Sequence, residues 1–159
     1  MERLLIAIDG SEGSRKAVEH VAFHHTLTPG LRVTLLNVLP EMPPAFWDDG
    51  HILNETERAE RKRTIEKWKQ NQKLKIETVF ENAAAVLCRG GIASELIEKK
   101  AVIGSGGVAD EILDEARNGG YDDIILGRRG HSGASKFLMG SVSTKVVNHG
   151  TGFTICVVE

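Results

Sequence analysis

The chain has 159 residues, 41% of them hydrophobic and 26% charged, with 20 Lys plus Arg against 22 Asp plus Glu and a formal charge of −2. That length suits one domain, and the composition excludes a disordered tail or a fibre. The balanced charge gives no global reason for a nucleic-acid or membrane partner, so any anion site must be local.

Residues 3 to 8, Arg-Leu-Leu-Ile-Ala-Ile, form a continuous apolar run ending at Asp9-Gly10-Ser11, as expected for a strand buried on both faces. From Ser11 to about Leu27, Ala17, Val18, Val21 and Ala22 recur at helical spacing until Thr28-Pro29-Gly30. Residues 31 to 39 read as a second strand closed by Pro40, which completes a βαβ unit and implies a parallel sheet. Residues 40 to 51, with Pro40, Pro43 and Pro44, read as an irregular loop. From Asn54 to Gly90 the pattern predicts one long or broken helical region, polar first and core-packed from Ile76 onward, with Glu57 and Arg61 at i, i+4. Gly90-Gly91 stops it. Residues 93 to 103 are the next strand candidate, followed by a glycine turn and a helix carrying Val108, Ile112, Leu113 and Ala116. Asp123 to Gly127 is the clearest strand, residues 128 to 139 a basic Gly/Ser-rich loop, Gly140 to Asn148 a short helix, and Phe153 to Val158 a last strand. Five apolar runs alternating with helices predict a doubly wound α/β sheet, whose ligands sit beyond the carboxyl ends of the strands where the winding reverses.

The most specific chemistry is Gly127-Arg128-Arg129-Gly130, nine residues, then Gly140-Ser141, placed after a buried strand and at a helix start. Glycines there are expected to take positive φ and bring backbone N–H groups close to a polyanion. The amides of Gly140, Ser141 and Val142, at a helix N-terminus, favour phosphate, and the Ser141 hydroxyl adds a donor. Arg128, Arg129, His131 and Lys136 raise the local positive potential.

This pattern resembles the nucleotide-binding branch of the universal stress protein family, whose ATP-binding members carry Gly-x-x-Gly, nine residues, Gly-Ser/Thr at the same point. The resemblance extends to Ile-Ala-Ile-Asp9-Gly10-Ser11, to Leu-Leu-Asn-Val38, and to Val-Ala-Asp-Glu-Ile with Tyr-Asp-Asp-Ile-Ile-Leu-Gly. It implies a single-domain, Rossmann-like, five-stranded parallel sheet ordered 3-2-1-4-5 with helices on both faces. It also implies a homodimer through the last strand and ATP, with Mg2+, between strands 1 and 4. The nucleotide-binding residues are then Asp9 on the ribose or the magnesium ion, Val38 against adenine, and Gly127, Arg128, Gly130, Gly140, Ser141, Val142 and Ser143 around the phosphates. Arg128 departs from the small residue common in the family, and the segment from Asn54 to Gly91 is longer and more charged than usual.

Other signals have plainer readings. Gly104-Ser-Gly106-Gly-Val-Ala109 matches a dinucleotide fingerprint, but it follows the third strand rather than the first of a mononucleotide-binding half, so a helix-capping turn is expected. His20 and His24 are spaced to share a metal without a third ligand nearby, which favours a solvated helix face. Cys88 and Cys156 lack Cys-x-x-Cys spacing and are expected as buried fillers. No apolar stretch is long enough to cross a bilayer, and Met1-Glu2-Arg3 opens no signal peptide, so a cytoplasmic protein is expected. Residues 54 to 75 hold eight Lys/Arg and four Glu, read first as a solvated helix. The functional expectation is an ATP-binding stress or signalling protein in which nucleotide orders the 127–141 loop. A slow ATPase, or a nucleotide-free dimeric interaction module using the 54–75 helix, are the alternatives.

Overall fold

Leu4, Leu5 and Ile6 are fully buried because their strand, β1 (Arg3–Ala7), lies at the centre of a five-stranded parallel sheet. The computed structural model describes residues 2–25, 29–41, 54–104, 106–131 and 138–159. In chain order the elements are β1, α1 (Glu12–His24), β2 (Arg32–Leu39), α2 (Glu55–Arg89), β3 (Ile97–Ile103), α3 (Val108–Gly119), β4 (Asp123–Gly127), α4 (Ser141–His149) and β5 (Thr154–Val158). The strands are ordered β3-β2-β1-β4-β5, and every neighbouring pair is parallel, with Leu5 opposite Thr34 on one side and Ile124 on the other.

Helices cover both faces, so alternate residues of β1 feed separate cores. Leu4 and Ile6 pack with Val18 and Val21 of α1 and with Phe80 and Leu87 of α2. Leu5 packs with Ile112 and Leu113 of α3 and Val146 of α4. Burial on both faces is why the central strands read as unbroken apolar runs. Edge strand β3, with Glu98, Lys99 and Lys100, is mostly exposed or half-buried.

Several boundaries differ from the sequence reading. α1 ends at His24, where His25 caps it by donating its N–H to Val21. Strand β3 begins only at Ile97, opposite Val33 of β2, because Ser94–Leu96 form a 3-10 turn. α2 is one continuous helix, opened by a capping box in which Asn54 Oδ1 accepts the Glu57 N–H at 2.9 Å and Glu57 Oε2 accepts the Asn54 N–H at 2.8 Å. The loop expected at 40–51 lies largely outside the described residues. Cys88 is exposed and fills no core, whereas Cys156 is half-buried and packs against the core that contains Leu4 and Ile6. Ala83 and Leu87 take the inward positions of α2 and leave Cys88 on its outer face.

Candidate functional site

Reversal of the winding between β1 and β4 opens a cleft of about 300 Å³ at the carboxyl ends of the strands. The structure brings together along it Asp9, Val38, Gly127, Arg128, Gly130, Gly140, Ser141, Val142 and Ser143.

The Asp9 end is built by α1's cap. Ser11 Oγ accepts the Ser14 N–H at 3.2 Å, while Ser14 Oγ donates to the Ser11 carbonyl at 3.0 Å. The Ser11 amide donates to Asp9 Oδ1 at 2.9 Å, an Asx turn. Burial pushes the Asp9 carboxyl up, but hydrogen bonding from Ser11, with the Ser14 hydroxyl and the His131 ring nearby, outweighs it and holds the group below the ordinary 3.8. It is ionised at neutral pH. His131 Nε2 lies 2.9 Å from the Asp9 carbonyl oxygen. A carbonyl only accepts, so that nitrogen carries the proton. Asn37, buried in β2, donates from Nδ2 to the Ile8 carbonyl at 2.7 Å and fixes the chain where β1 ends.

The opposite wall is the loop after β4. Gly140 precedes α4 with no side-chain cap, and the first intrahelical bond runs from the Thr144 amide to the Gly140 carbonyl. The amides of Ser141, Val142 and Ser143 therefore lack intrahelical partners at the positive end of the helix. The hydroxyl of Ser143 is committed elsewhere, donating toward the carbonyls of Arg128 at 2.8 Å and Gly140 at 3.0 Å. Its role is to tie the loop to the helix. The Arg128 guanidinium pairs with Glu159, and its amide bonds the Val158 carbonyl at 2.7 Å, both at the β5 side. Lys136 lies outside the described residues.

The glycines work differently from expectation. None of Gly127, Gly130 and Gly140 has positive φ; Gly10, at +82°, does. A Cβ on Gly127 would stand 2.3 Å from the Gly13 carbonyl carbon, and one on Gly13 would stand 2.1 Å from the Arg129 carbonyl oxygen. Both are needed for α1's first turn to lie against the end of β4. Among the described residues a Cβ on Gly130 would meet Asp9 alone, its Oδ2 at 2.6 Å, so this glycine makes room for the carboxylate. Sequence reasoning missed Gly13, Asn37 and the contact of His131. A glycine inside a helix's first turn, just after a serine cap, was the available signal for Gly13.

The sequence model of the Universal stress protein family matches residues 1–152. The chain belongs to the universal stress protein family. It is 28% identical over 151 residues to the universal stress protein YxiE of Bacillus subtilis, covering 91% of this chain and 90% of that one. Among solved structures it resembles the universal stress protein from Archaeoglobus fulgidus in complex with dAMP, with a TM-score of 0.62, 16% identity and coverage of 100% and 98% of the two chains. A family protein from Arabidopsis thaliana with AMP bound gives a TM-score of 0.64 at 15% identity, covering 99% of this chain and 91% of that one. At those identities the likeness speaks for the fold.

The competing signals of this universal stress protein also have places. Gly107, with φ of +112°, precedes α3, whose first residue, Val108, lines the cleft. The His20 and His24 rings stack with centroids 4.3 Å apart. Among the described residues no group of three or more His, Cys, Asp or Glu is placed to hold a metal ion, and no helix is long and apolar enough to cross a membrane.

Proposed function

We propose that this universal stress protein binds an adenine nucleotide, ATP with Mg2+, in the cleft between β1 and β4, and works as a regulatory stress-response protein. One observation carries the reading: the three amides at the start of α4 that lack intrahelical partners border the same cleft as an ionised Asp9. Backbone donors at a helix N-terminus suit phosphate oxygens, and a single carboxylate suits a hydrated magnesium ion that shares those phosphates. Asp9 is the only carboxylate among the described residues lining the cleft, and Mg2+ bound through it would neutralise phosphate charge. Val38, on the apolar wall with Leu36 and Ile112, offers a surface for the base. The dAMP and AMP carried by the two solved relatives make adenine nucleotides the first class to test.

The proposal is of a nucleotide held rather than rapidly turned over. With Asp9 engaged by metal or ribose, no second cleft carboxylate among the described residues is left to orient an attacking water. Nucleotide contacts from the Ser141 and Val142 amides would brace the 127–141 loop and so change the surface it presents. The proposed dimer pairs two copies through the outer edge of β5, the last strand in the sheet order.

Calorimetry with ATP, ADP and AMP, with and without Mg2+, tests the reading. The expected result is one site per chain, weakened by Gly130→Ala while circular dichroism is unchanged. Absence of binding heat for every adenine nucleotide at millimolar concentration contradicts it.

A further inference from the structure

We infer that the N-terminal half of α2 is a docking face for an acidic amphipathic segment of a partner protein. The first buried residue of this helix is Ile76. At about 1.5 Å per residue, the part before it extends some 30 Å. In a βαβ unit the helix runs antiparallel to its strands, so this part continues past the carboxyl ends of the sheet, the end that holds the cleft.

The face it presents there is set by helical geometry. Ile76, Phe80, Ala83 and Leu87 make the inward stripe of α2. Arg58, Lys62, Ile65 and Lys69 precede them with the same four-three-four spacing. Each stands five turns, at about 3.6 residues per turn, before its counterpart. The stripe that meets the core in one half therefore becomes cationic in the other. Arg58, Lys62 and Lys69 are exposed, Ile65 is half-buried, and with Arg61 and a single acid, Glu66, they line a concavity of about 340 Å³. None of the stripe's three cationic side chains forms an ion pair or hydrogen bond with a described residue; Lys73 pairs with Glu77 outside the stripe.

Charge complementarity names the occupant. Residues 54–75 carry eight Lys/Arg against four Glu within a chain whose total is −2, so the rest of the molecule is distinctly acidic. From Arg58 to Lys69 the stripe is only about 16 Å long. A nucleic acid running beyond it would meet the acidic body, whereas a short helix with acidic residues flanking one apolar position matches cations flanking Ile65. The inference does not depend on the nucleotide reading.

The test uses the full chain and a fluorescent helical peptide of about five turns carrying Glu on either side of a Leu stripe. Its Lys-for-Glu counterpart and a short DNA duplex serve as competing probes. Anisotropy is followed at about 0.05 M salt, where screening is weaker than at the 0.1 M Debye length of about 10 Å. The acidic peptide should bind saturably, and Lys62→Glu with Lys69→Glu should weaken it at least about tenfold. The basic peptide should fail with the wild type. Helicity and nucleotide affinity of the double variant should match the wild type, which separates this face from the cleft. No binding of the acidic peptide, or equal binding by the double variant, overturns the inference. Tighter binding of the duplex also overturns it and assigns the face to nucleic acid.

Discussion

Two glycines of one motif should fail in different ways when each is replaced by alanine. At Gly127 the new Cβ would lie 2.3, 2.5 and 2.7 Å from the carbonyl carbon, oxygen and Cα of Gly13. Non-bonded atoms prefer about 3.5–4.0 Å, so α1's first turn must retreat by more than about 1 Å from the end of β4. The obstacle is backbone, which cannot rotate away. Overpacking of this kind costs about 1–3 kcal/mol, and the rigid neighbour places Gly127→Ala in the upper part of that range. Because φ at Gly127 is not positive, alanine also restricts the unfolded chain, returning about 0.4–1 kcal/mol. The net loss is about 2 kcal/mol, or roughly 4–8 °C in Tm for a chain of this size. At Gly130 the only close neighbour among the described residues is Asp9 Oδ2 at 2.6 Å, the far end of a side chain. Gly130→Ala should therefore leave stability within about 0.5 kcal/mol and displace the carboxylate, with nucleotide affinity falling about tenfold, or about 1.4 kcal/mol. Urea unfolding followed by circular dichroism, paired with calorimetry, reads both quantities. A Gly127→Ala protein as stable as the wild type, or a Gly130→Ala protein destabilised more than it, would refute the packing argument.

Asn37→Ala removes the buried donor to the Ile8 carbonyl and should cost about 1–3 kcal/mol in the same urea assay. Asp9 titrates below 3.8 in the folded protein. Its stabilising contribution is full above that unfolded value and is lost as pH falls through the lower folded one. Urea midpoints should thus drop more steeply on acidification in the wild type than in Asp9→Asn. Burial, followed by the charges of His24 and His25, holds His20 below 6.5, and NMR titration should show His24→Gln moving it back up.

The legible parts of the fold were those in which burial writes a pattern. β1 and β4 are covered on both faces, so their apolar runs and the switch point between them followed from sequence. No residue of α2 before Ile76 is fully buried, so its first half wrote no apolar stripe from which one unbroken helix could be read. The 3-10 turn at Ser94–Leu96 shortened β3 because pairing with β2 begins only at Ile97. At the candidate site, sequence located the residues and misjudged their work. Gly127 answers to Gly13, more than a hundred positions away, and His131 to the carbonyl of Asp9. Such contacts arise when β4 joins β1 in the sheet, and residue spacing carries no trace of them. Cys88 shows the converse error, since a cysteine's usual burial gave way to the helix phase set by Ala83 and Leu87.

The central claim, that the cleft holds an adenine nucleotide, is tested most directly by mass spectrometry of the small molecules released when freshly purified protein is denatured. The account predicts ATP or ADP near one equivalent per chain, and less from Gly130→Ala prepared in parallel. A wild-type protein that releases no nucleotide and takes up none from added Mg-ATP would contradict it.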